Sequence, residues 1–173
     1  MGARLRPCEP ELERLQTIPG VGRRTAEILL AEIGTDLTRF PSARHLASWA
    51  GLCPGHDESA GKRRSGRTRK GSPWLRTALV EAARAAARTK GTYLAAQYRR
   101  LAARRGAKRA AVAVAHSLLS IVYVLLTGQQ QGYHDLGHHY FDERDRQAVE
   151  RRLVRRLEAL GYNVSLEPTS PAA

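Results

Sequence analysis

AAVAVAHSLLSIVYVLLTG, residues 110–128, constrains the fold more than any other stretch, because an apolar run of this length has to be removed from water. It is about as long as a membrane span. Its alanine richness, the polar residues His116, Ser117 and Ser120 within it, and the amphipathic basic segments beside it favour a protein interior. The stretch is therefore expected to be the buried central helix of an all-α core. At 173 residues the chain is long enough for one such domain with a decorated end.

The remaining elements follow from periodicity and punctuation. Glu9 to Gln16 reads as a short helix with Leu12 and Leu15 on one face. In T-I-P-G-V-G-R-R-T-A-E-I-L-L-A-E-I-G a Pro-Gly turn opens a helix whose Ala26, Leu29, Leu30 and Ile33 recur at helical spacing, and Gly34 closes it. Ala43 to Gly51 follows Pro41 and a Ser42 N-cap. Leu52 to Gly71 is glycine-rich without a hydrophobic period and reads as an exposed basic loop. Ser72 as N-cap with Pro73 behind it starts a helix over Trp74 to Arg88. Tyr93 to Arg105 and Lys108 to Leu126 follow, separated by Gly106, and a charged helix covers Arg144 to Leu160. No internal repeat or β-α-β alternation is present. The expected organisation is an extension over 1–11, a main domain over 12–128, a connector and helix over 129–166, and a disordered tail over 167–173.

Lys and Arg number 29 against 16 Asp and Glu, a formal charge of +13. Such a surface attracts polyanions, nucleic acid foremost and an anionic membrane surface second. Cys8 and Cys53 form no C-x-x-C pair, so neither a disulfide framework nor a zinc ribbon is suggested, and a reducing cytoplasm fits. The first residues contain no apolar run of signal-peptide type.

L-Q-T-I-P-G-V-G-R-R-T-A resembles a helix-hairpin-helix module over about 12–34. In such a module Gly20, Val21 and Gly22 turn backbone N–H groups toward a phosphate and the next helix, with Arg23, Arg24 and Thr25, adds its positive end. A tight turn without a ligand is the alternative. The basic loop carries Lys62, Arg63, Arg64, Arg67, Arg69 and Lys70, and its glycines suit it to follow a phosphate backbone, although charge runs are more often only solvated. Arg76, one turn into the next helix, is placed to reach back toward it. Within this loop, HDESAGKRRSG puts Ser59 between carboxylates and cations. A serine needs activation, and attack on a phosphodiester needs positive charge around phosphorus. Composition alone leaves Ser59 and Ser65 equal candidates, with no assigned base. The cluster His134, Asp135, His138, His139 and Asp142 lacks the H-E-x-x-H pattern and is broken by glycines, so it is read as capping and packing the turn before the last helix. Trp49 and Trp74 are expected as core anchors.

The order of the motifs carries further. T-I-P-G-V-G-x-x-T-A, F-P-S-A-R-H-L-A-S-W-A-G-L-C-P-G, S-A-G-K-R-R-x-G-x-x-x-K-G-x-x-x-L-R and Y-H-D-L-G-x-x-Y-F-D-E-R-D, in this order from about Leu12 to Leu166, resemble the C-terminal domain of insertion-sequence transposases of the IS110, IS116 and IS902 group. The resemblance implies DNA transposition, with Ser59 of S-A-G-K as the nucleophile that forms a phosphoserine link and Lys62, Arg63 and Arg76 as charge stabilisers. It also implies DNA as partner, a guide RNA, a homo-oligomer, no membrane, and a cytoplasmic, nucleoid-associated location. No cofactor is expected in this chain. The divalent metal, Mg, belongs in that family to four carboxylates of an N-terminal RuvC-like domain, which is expected to lie outside this sequence. Ala60 stands where the family often has glycine. A module that only binds nucleic acid, as a truncated or split-gene remnant, is the alternative reading.

Overall fold

The computed structural model describes residues 8–55 and 57–167, the side chains of positions 57 and 63–65 apart. In chain order these hold α1 (Glu9–Gln16), α2 (Arg23–Ile33), α3 (Ala43–Trp49), β1 (Asp57–Ser59), β2 (Lys62–Ser65), α4 (Pro73–Arg88), α5 (Tyr93–Arg105), α6 (Ala107–Leu126), α7 (Tyr140–Arg144) and α8 (Arg146–Glu158). The chain is all-α apart from one short ribbon. It forms two compact units, one up to His138 and one from His139 onward.

In the first unit α6 is the central helix. Ala110, Ala111, Val114, Ala115, Leu118, Leu119, Val122 and Leu125 are buried, a set that advances by three and four residues and so stays on one side. That side packs against α1, α3, α4 and α5. By length and apolar character α6 matches a membrane span, but its Leu118, Leu119 and Leu125 are enclosed by protein, each stabilised by about 1.5–3 kcal/mol relative to exposure. The half-buried Ser117 and Ser120 donate back to the carbonyls of Ala113 and His116, at 3.3 and 3.0 Å, so their hydroxyls need no outside partner.

α4 supplies the second half of the core through Leu75, Ala78, Leu79, Ala82, Ala83 and Ala86. Alanine here permits backbone contact. Gly20, in the turn between α1 and α2, has φ of +85°, and a Cβ added to it would stand 2.4 Å from the Ala82 carbonyl oxygen and 2.6 Å from the Ala86 nitrogen. Ser72 caps α4 as expected, accepting from the Leu75 N–H at 3.2 Å, while its own hydroxyl donates to Glu32 Oε2 at 2.7 Å and ties α4 to α2. Ser42 precedes α3, but its hydroxyl meets His45 Nδ1 at 2.8 Å and makes no cap bond. The Tyr123 hydroxyl donates to the Phe40 carbonyl at 3.0 Å and pins the segment after α2 to α6.

Three expectations change. The segment over 52–71 is not irregular throughout, since it folds back on itself as the β1–β2 ribbon. The charged helix expected over Arg144 to Leu160 runs from Arg146 to Glu158 as α8, and a further short helix, α7, forms at Tyr140–Arg144 in the expected connector, the two separated at Asp145 with φ of −140° and ψ of 52°. Trp49 and Trp74 are 44% and 75% exposed and do not anchor the core. Trp49 instead packs beside Phe40, ring centroids 5.4 Å apart, with the Arg39 guanidinium over both rings, and Trp74 opens onto a groove with Arg24 and Ile28 of α2. In the second unit α8 carries exposed Leu153 and Leu157 and an exposed Arg146–Glu150 ion pair at 2.9 Å.

Gly20→Ala is expected to destabilise the protein by about 3 kcal/mol or more, because the new methyl meets α4 backbone that cannot turn aside and the φ is adverse. A shift of the urea midpoint to lower concentration with unchanged slope checks this.

Candidate nucleic-acid interface and serine hairpin

The ribbon is rooted where α3 ends and α4 begins. Gly51 and Gly71 approach so closely that a Cβ on Gly71 would lie 2.3 Å from the Ala50 carbonyl oxygen. Above this root the Gly55 N–H donates to the Arg67 carbonyl at 2.9 Å, and Pro54 and Thr68 form an antiparallel bridge. Arg76 does reach back, as its position suggests: Nη1 donates to the Gly51 carbonyl and to Thr68 Oγ1, both at 2.8 Å. That guanidinium holds the two sides of the root together and fixes its own charge there.

At the tip, β1 and β2 pair antiparallel with Ser59 opposite Lys62 and Glu58 opposite Arg63, and a bulge separates the latter pair from Asp57 opposite Ser65. Directly opposed residues share a face of a ribbon. The Ser59 hydroxyl and the Lys62 ammonium therefore project on the same side, both exposed. Ala60 and Gly61 make the turn with φ of +51° and +72°. Two-residue hairpin turns of the I′ type require positive φ at both positions, which explains why glycine is the better residue at 60. Among the described residues no side chain hydrogen-bonds to the Ser59 hydroxyl. The side chains of Arg63, Arg64 and Ser65, like the whole of His56, lie outside the described part. Arg67, Arg69 and Lys70 are exposed along the returning side of the ribbon.

The α1–α2 turn lies elsewhere on the unit. Val21 is buried, Gly20 faces α4, and Gly22, with open space around its Cα, precedes α2 without a side-chain cap. Arg24 is exposed and Thr25 half-buried. Arg23 is engaged internally: its guanidinium pairs with both carboxylate oxygens of Glu9, Nη2 to Oε2 at 2.8 Å, and Nε donates to Glu27 at 3.0 Å. These bonds hold the Glu9 carboxyl below the usual carboxylate range and raise the Arg23 guanidinium further. Arg23 thus braces α1 against α2. Sequence reading overlooked Arg84 and Arg88, which line a small cleft with Gly20 and Thr25 beside the turn. Their spacing of four on α4 was the available signal.

Of the histidine and aspartate cluster, Asp135 has a definite task. Its Oδ1 accepts from the N–H groups of Tyr93, at 2.9 Å, and Gly137, at 2.7 Å, and its Oδ2 accepts from the Tyr133 hydroxyl at 3.0 Å. It therefore helps cap α5 and, through the Gly137 N–H, also holds the turn before the last helices. Burial and the neighbouring Asp135 carboxylate together raise the Tyr133 phenol well above its ordinary range. Among the described residues no group of three or more His, Cys, Asp or Glu side chains converges as metal ligands.

A larger cleft, about 960 Å³, opens between the ribbon root and the outer face of α5 and α6. Arg67 and Arg76 stand on one side and Lys108 and Arg109 on the other, with His116 half-buried in its wall. Burial holds the His116 imidazole below its ordinary pKa of 6.5, so it is neutral at pH 7.

Ala60→Gly is expected to raise amide protection in the β1–β2 ribbon about fivefold, equivalent to about 1 kcal/mol, by removing the left-handed alanine; hydrogen exchange of the Lys62 amide reads it. For His116 the folded pKa lies below the unfolded one, so folding releases protons. Its contribution is intact above about pH 6.5 and is lost as pH falls from there through the lowered folded value. Melting temperature should therefore drop between pH 7.5 and 5.5, and His116→Gln should flatten part of that drop.

Residues 12–99, which run from within α1 through α2, α3, the ribbon and α4 to the first half of α5, match the model of the Transposase IS116/IS110/IS902 family. The transposase for insertion sequence element IS1111A of Coxiella burnetii is 36% identical over 124 residues, covering 69% of this chain and 34% of that protein. A probable family 20 transposase of Pseudomonas aeruginosa is 32% identical over 123 residues, 69% of this chain and 36% of the relative. The pilin gene-inverting protein of Moraxella bovis is 52% identical over 56 residues, 30% and 17% of the two chains. The chain thus spans about a third of the length of the transposase relatives it matches. On the extent of the family match, this chain belongs to the IS116/IS110/IS902 family of transposases.

Proposed function

We propose that this chain is the serine-bearing, DNA-gripping part of an insertion-sequence transposase, acting in DNA transposition or recombination. The observation that carries the reading is the hairpin that sets Ser59 opposite Lys62 on one exposed face, inside the segment shared with the family. In the reaction the Ser59 Oγ attacks a DNA phosphorus and loses its proton to a base. The O–P bond forms, the bond from phosphorus to a sugar oxygen breaks, and that oxygen takes up a proton on leaving. Lys62 and Arg63 on the ribbon, and Arg76 at its root, are the cations that offset the added negative charge at phosphorus. Lys62, Arg64, Arg67, Arg69 and Lys70 hold the adjoining backbone, as do Arg24 and the open N-terminus of α2 at Gly22 and Thr25. A divalent ion, in this reading, belongs to carboxylates outside this segment. The working enzyme is a homo-oligomer on DNA, directed by a guide RNA.

The exposed cations of the ribbon serve equally a second reading, a module that binds nucleic acid without cutting it. A transposase carrying this segment separates the two. Ser59→Ala should reduce recombination by at least about a thousandfold and abolish the covalent protein–DNA adduct, with DNA affinity unchanged. Undiminished recombination would sink the nucleophile; salt-sensitive binding with no adduct in the unaltered protein would establish the binding module. Each of Lys62, Arg69 and Lys70 changed to Gln should lower the slope of log affinity against log salt by about 1.

A further inference from the structure

The cleft between the ribbon root and α6 has a chemistry that the ribbon does not. Its four cations come from three separate places: Arg67 from the ribbon, Arg76 from α4, and Lys108 and Arg109 from α6. Among the described residues no carboxylate lines it. Lys108 and Arg109 sit in the first turn of α6, where the helix dipole is already positive and no side chain caps the free N–H groups. Cations at that end are of the wrong sign for the helix and are stabilised only when an anion joins them. The surrounding sequence extends this polarity: between Glu81 and Asp135 the chain has nine Lys and Arg and no Asp or Glu.

A bare anion would not use the rest of the cleft. Past the cations the wall becomes apolar at Val112 and Ala113, followed by the half-buried, neutral His116. Gln97 borders the same wall. Its Nε2 donates to Ser117 Oγ at 2.9 Å, and that hydroxyl donates in turn to the Ala113 carbonyl at 3.3 Å. Gln97 Oε1 is left buried with no hydrogen-bond partner. Such an acceptor is costly, and phosphate, which offers only further acceptors, cannot relieve it. A turn about the broad χ3 of Gln97, at the cost of its bond to Ser117, brings the oxygen toward the cleft, where a ligand N–H or O–H can pair with it.

From this arrangement we propose that the cleft binds one unstacked nucleotide of a single strand. The phosphate lies among Arg76, Lys108 and Arg109, the base or sugar lies on the wall formed by Val112, Ala113 and His116, and Gln97 accepts from an amino or hydroxyl group of that nucleotide. A volume of about 960 Å³ admits a nucleotide with its flanking phosphate, whereas a base inside a duplex cannot present its face to such a wall. The proposal rests on the nucleic-acid reading above and adds a strand-selective site to it.

The test uses the 173-residue chain with a fluorescent eight-nucleotide oligoadenylate, in ribose and deoxyribose forms, and a duplex of the same length. The double variant Lys108→Gln/Arg109→Gln, exposed at both positions, should weaken single-strand binding at least tenfold and duplex binding less than twofold. Gln97→Met, nearly isosteric, should weaken single-strand binding about fivefold, keep the melting temperature within a few degrees, and leave the salt slope unchanged. Preference for the ribose form identifies the strand as RNA, and equal affinity identifies the base as the recognised part; both support the site. Single-strand affinity within twofold of wild type in the double variant overturns the cleft, as does equal weakening of duplex binding. If binding then responds only to Lys62, Arg69 and Lys70, the backbone grip survives and the cleft alone fails; absence of all nucleic-acid binding removes both.

Discussion

Burial of the α6 face is the interaction on which the rest of this molecule depends. The leucines and alanines of that face cannot be solvated at acceptable cost, and α1, α3, α4 and α5 take their positions by covering them. The start of α4 follows from this, and with it the foot of the ribbon. The close approach of Gly51 and Gly71 and the two bonds from Arg76 then bring the two ends of a strongly basic segment together. A basic ribbon is thereby set at a defined place on the first unit.

The acidic residues are distributed to a matching purpose. Glu9 and Glu27 engage Arg23, Glu11 engages Arg14, Glu32 accepts from Ser72, and Asp135 takes the Tyr93 N–H at the head of α5. The carboxylates of Glu9, Glu32 and Asp135 join separate segments, while those of Glu11 and Glu27 pair with arginines on their own helices. Lys62, Arg69 and Lys70 on the ribbon and Lys108 and Arg109 at the start of α6 are exposed and add to the field of a chain already at +13. Arg23 shows the reverse case, a cation in a binding-type motif that serves as a brace between two helices.

How far these features were legible depends on the range of the interaction behind each. Helix positions, the α4 cap at Ser72 and the central place of residues 110–128 could be read because they arise from periodicity and neighbouring residues. The ribbon was missed because D-E-S and K-R-R-S are poor strand formers with no apolar alternation; its pairing comes from the turn at Ala60 and Gly61 and from the closed root. The two tryptophans were misplaced because aromatic size predicts burial only on average. Lys108 and Arg109 drew no notice beside the denser run at 62–70, and nothing local relates them to Arg67 or Arg76.

By itself the sequence determined the helical class, the buried central helix, the positive charge and, through the order of its motifs, the family, since each rests on composition, spacing or contiguous residues. Tertiary structure alone decided that Ser59 faces Lys62, that Arg76 closes the root of the ribbon, that Asp135 caps a helix forty-two residues before it, and that cations from three elements line one cleft. These relations join residues far apart in the chain, and only the packing of helices around α6 supplies the distances between them.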